Sequence, residues 1–592
     1  METSLSRYWH TLRHLRPAQL HGRLWFRLHR PRPDSRPAPP PRPVAGPWIE
    51  PPAGEPHLLG PATFRFLNQT RTLAGAADWN QSDWDKLWLY NLHYFDDLNA
   101  GGAEARATWH HALIARWIAE NPPGCGNGWE PYPTSLRIVN WIQWARAGHG
   151  LQPDWIHSLA VQVRYLARRL EHHLLGNHLF ANAKALVYAG WYFAGPEAER
   201  WLNTGMRLLR RELPEQILSD GGHFERSPLY HAIILKDVLD LVNLAASIGL
   251  SSPSLLAGGK GREGEGNADW RAIALRMLDW LAAMTHPDGE IAFFNDAALG
   301  IAPTLAELAD YARRLGIPSS AAPALSRGPR SALPRGERGV QTSSRPRLDV
   351  PRLTPLPDSG YLRLEAGPAT LIVDAGPIGP DYLPGHAHAD TLSFELSLFG
   401  RRVFVNSGTS CYGTSPERQR QRSTAAHNTV AIDGRDSSEV WGGFRVARRA
   451  RPLGLRWGED ATGLWVECGH DGYRRLPGRI VHWRRWTLGP TGLRIEDRLD
   501  GCYRDAWARL HLHPAIRVGL DGAGEGWLKL PDDRRLPWTV GGGSARLVPT
   551  TWHPRFGVSE SSQCLEIRIL DRRLVFSLGA PWPDQKSCAF FF

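Results

Sequence analysis

The chain has 592 residues, 42% of them hydrophobic and 26 of them Trp, so it is able to form large apolar cores and is not a disordered protein. This length exceeds the size at which one hydrophobic core keeps growing, which predicts two or more domains. The net charge of +11 favours a polyanionic partner, yet no nucleic-acid recognition motif is present. A compositional preference for Arg explains the charge equally well, so charge alone identifies no partner. Six scattered Cys without a CxxC pair exclude a disulfide framework and a zinc ribbon.

Residues 1–60 are predicted to be a basic N-terminal segment followed by a Pro-rich connector. The first 30 residues lack the continuous apolar run of a signal peptide, and no stretch of about 18 uncharged apolar residues predicts a transmembrane helix. The sequence therefore gives no sign of export and leaves the localisation open. We expect the first 30 residues to pack as an ordinary helix; the alternative is a basic amphipathic helix that contacts a membrane surface.

Residues 61–315 are predicted to form a helical domain. Apolar residues recur at i, i+3, i+4 and i+7 in a series of segments separated by short Gly, Pro or Asn breaks. The segments are 83–98, 109–120, 134–146, 155–174, 177–193, 198–213, 229–248 and 270–284. Consecutive amphipathic helices without strands imply helix-on-helix packing, as an α-solenoid or an α/α toroid.

The pattern changes after residue 315. Residues 316–352 are rich in Pro, Ser, Arg and Gly, which predicts a linker or mobile insertion. From residue 353 to 592, short segments of alternating polar and apolar residues are separated by Gly, Asp-Gly and Pro turns. This second pattern predicts an antiparallel β-sheet domain.

Two patches of the helical domain are dense in functional groups. Asn177 and His178 open a predicted helix, where a capping Asn and a surface His are the simpler interpretation. Glu225 and Arg226 precede Tyr230 at the start of another helix, which makes an acid/base cluster plausible. Tyr230 as an ordinary core aromatic residue is the alternative.

Two further patches lie in the β domain. His386 and His388, spaced by one residue at the entry to a predicted strand, would share one face of that strand. Such a pair, with a third ligand elsewhere, suits Zn²⁺ or a catalytic pair. Asn406 and His427 follow in polar segments; a turn between strands is the simpler interpretation of these.

Together, and in this order, GNH, ERSPLYH, GHAHAD, NSGT and AHNTV make the chain similar to the heparinase II/III-type polysaccharide lyases over about residues 80–450. The resemblance implies an (α/α) toroid followed by an antiparallel β-sandwich. It also implies β-elimination at a uronic acid of an acidic polysaccharide, the expected partner. Such a reaction needs a neutralised carboxylate, a base at C5 and an acid for the leaving oxygen.

The resemblance also suggests individual roles. Asn177 and His178 would hold the carboxylate. Tyr230 would act as base, as acid to the leaving group or as both, and His386 would be its partner, a second base or acid according to the C5 epimer. The substrate contacts suggested are Tyr94, Arg137, Glu225 and Arg226. His388, Asn406 and His427 would correspond to the ligands of a structural zinc ion. Because a neutral amide binds Zn²⁺ less well than a carboxylate, we expect this metal to be weakly bound or absent, and no other cofactor.

Two other functional classes remain open. A glycoside hydrolase needs two carboxylates that flank the scissile bond, and Glu130, Glu225 and Asp390 are candidates without a paired motif. A non-catalytic accessory protein of exopolysaccharide biosynthesis would agree with the lack of an export signal. The intact set of Asn177, Tyr230 and His386 argues against it.

Overall fold

The structure is a computed structural model that describes residues 3–43, 46–248, 269–318 and 350–579. Most of the predicted linker or insertion at 316–352 lies outside these residues. Within them, a helix-rich region precedes a strand-rich region with antiparallel sheets, which confirms the predicted order of the two classes of element.

Helices form most of residues 86–314. In chain order the α-helices of the described chain before residue 350 are α1 Thr3–Leu12, α2 Pro17–Leu28, α3 Lys86–Leu92, α4 Ala107–Glu120, α5 Pro131–Arg146, α6 Pro153–Ala167, α7 Gly176–Tyr192, α8 Pro196–Gln216, α9 Pro228–Ser247, α10 Trp270–Ala283 and α11 Leu305–Arg314. Helix α3 is shorter than the predicted segment: Asp85 caps its start, and after Leu92 the chain reaches Phe95, which has φ 58° and precedes the 3-10 turn Asp96–Asn99. Among the described residues, no helix is long and apolar enough to cross a membrane.

A small three-stranded antiparallel sheet begins the helix-rich region. It consists of β1 Leu58–Gly60, β2 Thr63–Phe66 and β3 Gln69–Thr72. The prediction of a purely helical domain from residue 61 is wrong at this point. Phe64 and Phe66 alternate with more exposed residues along β2, so they bury one face of a strand rather than the stripe of a helix.

Antiparallel strands form about half of the described chain after residue 350. The strands are β4 Arg352–Leu356, β5 Tyr361–Ala366, β6 Ala369–Asp374, β7 Phe394–Leu398, β8 Arg401–Phe404, β9 Val430–Ile432, β10 Val440–Trp441, β11 Arg445–Val446, β12 Pro452–Asp460, β13 Gly463–His470, β14 Val481–Gly489, β15 Gly492–Asp500, β16 Ala506–His511, β17 Arg517–Gly522, β18 Glu525–Lys529, β19 Arg535–Gly541, β20 Gly543–Trp552, β21 Glu560–Ile569 and β22 Arg573–Leu578. One further helix, α12 Pro416–Arg422, follows β8.

Three larger sheets organise these strands. Their orders are β4-β5-β6-β7-β8, β12-β13-β14-β15-β22-β19-β18-β17 and β20-β21-β16-β9. The sheets share one apolar core, whereas a second core lies among the helices.

A third apolar cluster joins the two regions. Trp280 and Phe294 of the helix-rich region pack in it with Tyr361 and Ile372 of the five-stranded sheet. The chain segment after α10 therefore lies against the sheet, and this contact brings the candidate site together.

Candidate active site

The N-terminus of α7 presents Asn177. Leu175 and Gly176 both have positive φ, 64° and 53°, so the chain turns sharply as the helix begins. Asn177 is buried, and its backbone N–H donates to the Glu225 carboxyl group. The side-chain amide of Gln216 donates to the Gly176 carbonyl oxygen, which fixes this turn from α8.

His178 follows on the same helix and is paired with Glu171. Its Nδ1 lies 3.1 Å from Glu171 Oε1, and Asn182 of α7 holds the other Glu171 oxygen at 3.0 Å. Burial opposes the charged imidazole, but the Glu171 carboxylate outweighs burial and the pKa of His178 is raised. The ring lies 4.4 Å from that of Tyr132, and 29% of the side chain is exposed. A partly exposed imidazole, whose charged form Glu171 favours, therefore stands beside Asn177.

Helix α9 begins with the acid/base candidate Tyr230. Ser227 caps the helix by accepting from the Tyr230 backbone N–H, and its own hydroxyl donates to the Asp296 carbonyl oxygen at 2.5 Å. The Tyr230 and Tyr412 hydroxyls share a hydrogen bond of 2.8 Å. Burial raises the pKa of Tyr230 well above its usual range, and Tyr412 and Asp296 add to the shift. Tyr230 is therefore a protonated phenol in this arrangement.

His386 lies in the loop between β6 and β7, not on a strand as its spacing predicts. Strand β7 begins at Phe394, and the loop is held instead by Asn295, whose side-chain carbonyl accepts from the His388 backbone N–H. The His386 ring stacks on Tyr230 with 3.7 Å between ring centroids. Its Nδ1–H donates to Asp296 at 2.9 Å, which leaves Nε2 on the partly exposed side.

Asp296 connects the groups of this cluster. Its carboxylate accepts from His386, from His388 Nε2 at 2.9 Å and from both terminal nitrogens of Arg418, one of them at 2.8 Å. Asp296 and Arg418 are both fully buried. Although burial opposes ionisation, Arg418 and the two imidazoles hold the pKa of Asp296 well below its usual range. An ionised Asp296 fixes the tautomer of His386 with the proton on Nδ1.

Glu225 lies between the two halves of the cluster. Its Oε2 is 3.7 Å from His386 Nε2, while its buried Oε1 forms no hydrogen bond within the described residues. Burial raises the pKa of Glu225, against the opposing effect of His386 and His178. A buried carboxyl group with a raised pKa favours its neutral form, which is able to donate one hydrogen bond.

The three predicted metal ligands form a chain and do not converge on one point. His388 Nδ1 lies 3.2 Å from His427 Nε2, whereas the Asn406 side-chain oxygen lies 3.2 Å from the opposite nitrogen, Nδ1, of His427. Burial lowers the pKa of His388 to about 4 and that of His427 to about 3, so both rings are neutral. This donor geometry does not fit a three-ligand zinc site, and the zinc expectation stays a prediction for metal analysis.

The other three predicted substrate contacts do not all lie in this cluster. Arg137 is fully buried; its guanidinium donates to Gln162 and to backbone carbonyls of residues 93 and 128. Arg226 donates to the backbone of residues 358 and 359, which ties the helix-rich to the strand-rich region. Three of the five N–H groups of each guanidinium are held by internal partners, so both arginines stabilise the fold, and a substrate contact by either stays a prediction. The ring centroid of Tyr94 lies 6.1 Å from that of Tyr132, whose ring in turn contacts His178.

Sequence patterns did not single out Asp296, Arg418 or Tyr412. Asp296 follows α10 in the segment FFND, and Arg418 lies in the exposed-looking segment PERQRQR. Nothing local marks either residue, since the Asp296–Arg418 pair joins positions 122 residues apart. A search for buried charge partners of His386 would have found them only with the tertiary structure.

Both regions of the chain match models of one protein family. Residues 99–314 match the model "Heparinase II/III N-terminus", and residues 349–576 match "Heparinase II/III-like, C-terminal". The chain is 27% identical over 407 residues to the FtsZ-localized protein C of Caulobacter vibrioides, a match that covers 64% of this chain and 59% of that protein. It is 25% identical over 272 residues to a heparin-sulfate lyase of Bacteroides stercoris, covering 45% of this chain and 37% of the lyase.

These curated relatives are thus matched over less than two thirds of their own lengths. Among solved structures, a crystal structure of heparinase III superposes with a TM-score of 0.64 at 20% identity, covering 85% of this chain and 79% of that one. The two family models together match both regions of the fold, and the chain belongs to the heparinase II/III-type family.

Proposed function

We propose that this protein is a polysaccharide lyase that cleaves an acidic, uronic-acid-containing polysaccharide by β-elimination. The observation that carries the proposal is one cluster in which Asn177 and Tyr230 from two helix N-termini meet His386 from the strand-rich region. The similarity to heparin-sulfate lyases supports it. We further propose that helices α4–α11 form an (α/α) toroid and that the three large sheets form a β-sandwich.

The carboxylate end of the proposed site has three groups. The Asn177 amide and a charged His178 would donate to the uronate carboxylate, and a neutral Glu225 would add a further hydrogen bond. The C5 proton of a uronate is weakly acidic because the neighbouring carboxylate is already charged. Donors fixed beside that carboxylate stabilise the dianion that develops when the proton leaves.

The opposite side would perform the proton transfers. With Nδ1–H held by Asp296, His386 Nε2 has a lone pair to accept the C5 proton. The electron pair of the C5–H bond then forms the C4–C5 double bond and expels O4, which takes the proton of the Tyr230 hydroxyl. The proton taken up by His386 then passes to the phenolate of Tyr230, on which its ring stacks, and both groups regain their starting forms. In net terms one proton moves from C5 to the leaving oxygen, so no co-reactant is needed. No step of this mechanism uses a metal ion.

A conservative variant tests the proposal. Tyr230→Phe removes only the proposed acid, and general acid catalysis typically contributes about 10²–10⁴-fold, so turnover should fall by that factor. The measurement is the ultraviolet absorbance of the unsaturated uronate during incubation with heparan sulfate, hyaluronan, alginate and bacterial exopolysaccharides. Tyr473→Phe is the matched control, since it removes another buried hydroxyl, which donates to the Val430 carbonyl oxygen at 2.7 Å.

Three results would contradict the proposal. New reducing ends without unsaturated product would identify a hydrolase. Binding of a polymer without any cleavage would favour a non-catalytic accessory role. Full activity of Tyr230→Phe would show that the proton of the leaving group comes from elsewhere.

A further inference from the structure

The helices α1 and α2, called here the N-terminal helix pair, turn their apolar side chains outward. On α1, Leu5, Trp9 and Leu12 form a stripe at i, i+4 and i+7, and Leu5 and Trp9 are 84% and 66% exposed. On α2, Leu24 and Leu28 lie one turn apart and are 60% and 73% exposed. An ordinary surface helix buries this stripe against the protein, so the expectation of ordinary packing is wrong here.

The concentration of exposed apolar groups is specific to this helix pair. Of fifteen large apolar side chains that are well exposed in the described residues, eight lie on α1 and α2. Isolated exposed apolar residues are normal on a protein surface, whereas a contiguous group of this kind marks an interaction site.

Polar contacts hold α1 with its stripe outward. Arg448 donates to the Ser6 hydroxyl at 2.8 Å, and the Trp441 indole N–H donates to the Thr11 hydroxyl at 3.2 Å. The Tyr8 ring also packs edge-on against Trp441. The β10–β11 segment therefore anchors one side of α1, with the half-exposed Tyr8 at the border of the apolar stripe.

The other face of α2 is anchored in the same way. Gln19 is buried and donates to the Tyr382 carbonyl oxygen at 3.1 Å. Phe26 packs against His173, and Arg169 donates to the Phe26 and His29 carbonyl oxygens. Outward orientation is thus built into the fold of the N-terminal helix pair.

The charge of this segment is of one sign. Residues 3–33 contain seven Arg and no Asp or Glu. Of these, Arg16 is paired with Glu215, and the other six form no ion pair within the described part of the chain. A surface that combines apolar stripes with unpaired Arg matches the interface of an anionic lipid bilayer, where acyl chains lie under negative headgroups.

A groove beside α2 continues the basic surface. It has a volume of about 520 Å³ and is lined by residues of α2, by His29 and by residues 167–170, 172 and 173, which include Arg168 and Arg169. No acidic residue lines it. Such a groove suits the phosphate of a lipid headgroup.

We propose that the N-terminal helix pair binds peripherally to an anionic membrane surface, with its apolar stripes among the acyl chains and its arginines at the phosphates. A second copy of this chain fits the surface poorly, because it would bring two sets of unpaired Arg together. Through Gln19 the helix pair contacts Tyr382 in the same loop that carries His386. Binding would therefore place the candidate site next to the membrane.

The test is co-sedimentation of the full chain with vesicles. We expect the protein to bind vesicles of phosphatidylcholine mixed with phosphatidylglycerol, to bind phosphatidylcholine alone at least about tenfold more weakly, and to lose anionic binding in high salt. The apolar variant Trp9→Ser/Leu24→Ser should reduce partitioning at least about tenfold. Its matched control is Leu520→Ser/Leu570→Ser, which changes two exposed leucines of the strand-rich region.

A charge variant separates the two contributions. Arg13→Gln/Arg27→Gln should weaken binding to anionic vesicles roughly 30-fold and leave the weak binding to neutral vesicles unchanged. Arg504→Gln/Arg517→Gln is the control. Equal binding of the wild-type chain to both vesicles, or none to either, would overturn the proposal. So would a dimer in solution that the apolar variant dissociates without any vesicle binding. Thermal unfolding verifies that each variant is folded, and lyase activity in solution is measured separately.

Discussion

At the scale of single residues, Asp296 determines what the neighbouring imidazole is able to do. It does not belong to any motif, yet it accepts from His386, His388 and Arg418 at once. It is a positioning residue in the proposed mechanism, since it acts through His386. The buried arginine keeps it ionised, and an ionised partner keeps the His386 proton on the nitrogen that faces away from Glu225.

The variant Asp296→Asn should reduce turnover by about 100-fold or more, because an amide no longer fixes the His386 tautomer or stabilises its protonated form. The pH profile of kcat/KM should also change, because the carboxylate that accepts from the proposed base His386 is gone. A merely structural role would lower the folded fraction but leave this profile unchanged.

Removal of a buried carboxylate also leaves Arg418 unpaired, so stability has to be controlled. Asp497→Asn is the matched control: Asp497 is likewise buried and bound to an arginine, Arg484, and an imidazole, His482, within the strand-rich region. Both variants should lose about 3–5 kcal/mol of stability. If turnover per folded molecule fell equally in both, Asp296 would have no specific role.

At the scale of elements, the turn into α7 sets the position of Asn177. Gly176 has φ 53°, and a Cβ atom there would lie 2.4 Å from Leu383 of the His386 loop and 3.0 Å from Glu225 Oε1. Only glycine allows the helix N-terminus and this loop to approach so closely. The element junction, not the helix itself, therefore aligns the carboxylate end with the acid/base end.

Gly176→Ala should consequently cost stability and turnover together. Gly367→Ala is the control, since Gly367 has nearly the same φ, 54°, with no atom within 4 Å of the added Cβ. The control should lose about 1–2 kcal/mol from backbone strain alone. Gly176→Ala should lose more in a denaturant titration and should raise KM for the polymer. Equal stability and kinetics for the two variants would show that the close contact is not needed.

At the scale of the whole molecule, buried carboxylates link stability to pH in both regions. Arg and Lys neighbours, against the opposing effect of burial, hold the pKa of Asp240 in the helix-rich region and of Asp497 in the strand-rich region at about 2. Because the folded-state pKa lies below the unfolded value of about 3.9, the ionised carboxylate stabilises the fold at pH values above about 3.9. The contribution, about 2 kcal/mol for each residue, is lost as the pH falls towards 2.

Asp240→Asn and Asp497→Asn should therefore both be less stable than the wild type at pH 7, and both deficits should shrink between pH 4 and pH 2. The free energy of unfolding from denaturant titrations at several pH values measures this. A deficit that did not change with pH would mean that lost packing, not lost charge, destabilises the variant. Separate transitions for the two variants would show that the regions unfold independently.

The sequence alone determined the order and class of the two regions and most helices of the first. Helical periodicity is local, so segments such as 177–193 and 198–213 were predicted close to α7 and α8. The functional groups of Asn177, Tyr230 and His386 were also identified, since each belongs to a short motif. These properties depend on residues close together in the chain, so they are visible in the sequence.

Only the tertiary structure decided which groups meet. It placed the His386 motif in a loop, used Arg137 and Arg226 for internal contacts, joined Asp296 to Arg418, and turned the apolar stripes of α1 and α2 outward. Each of these outcomes depends on the burial and partners of residues far apart in the chain. Such contacts are set by the packing of whole elements, for which periodicity and spacing contain no information.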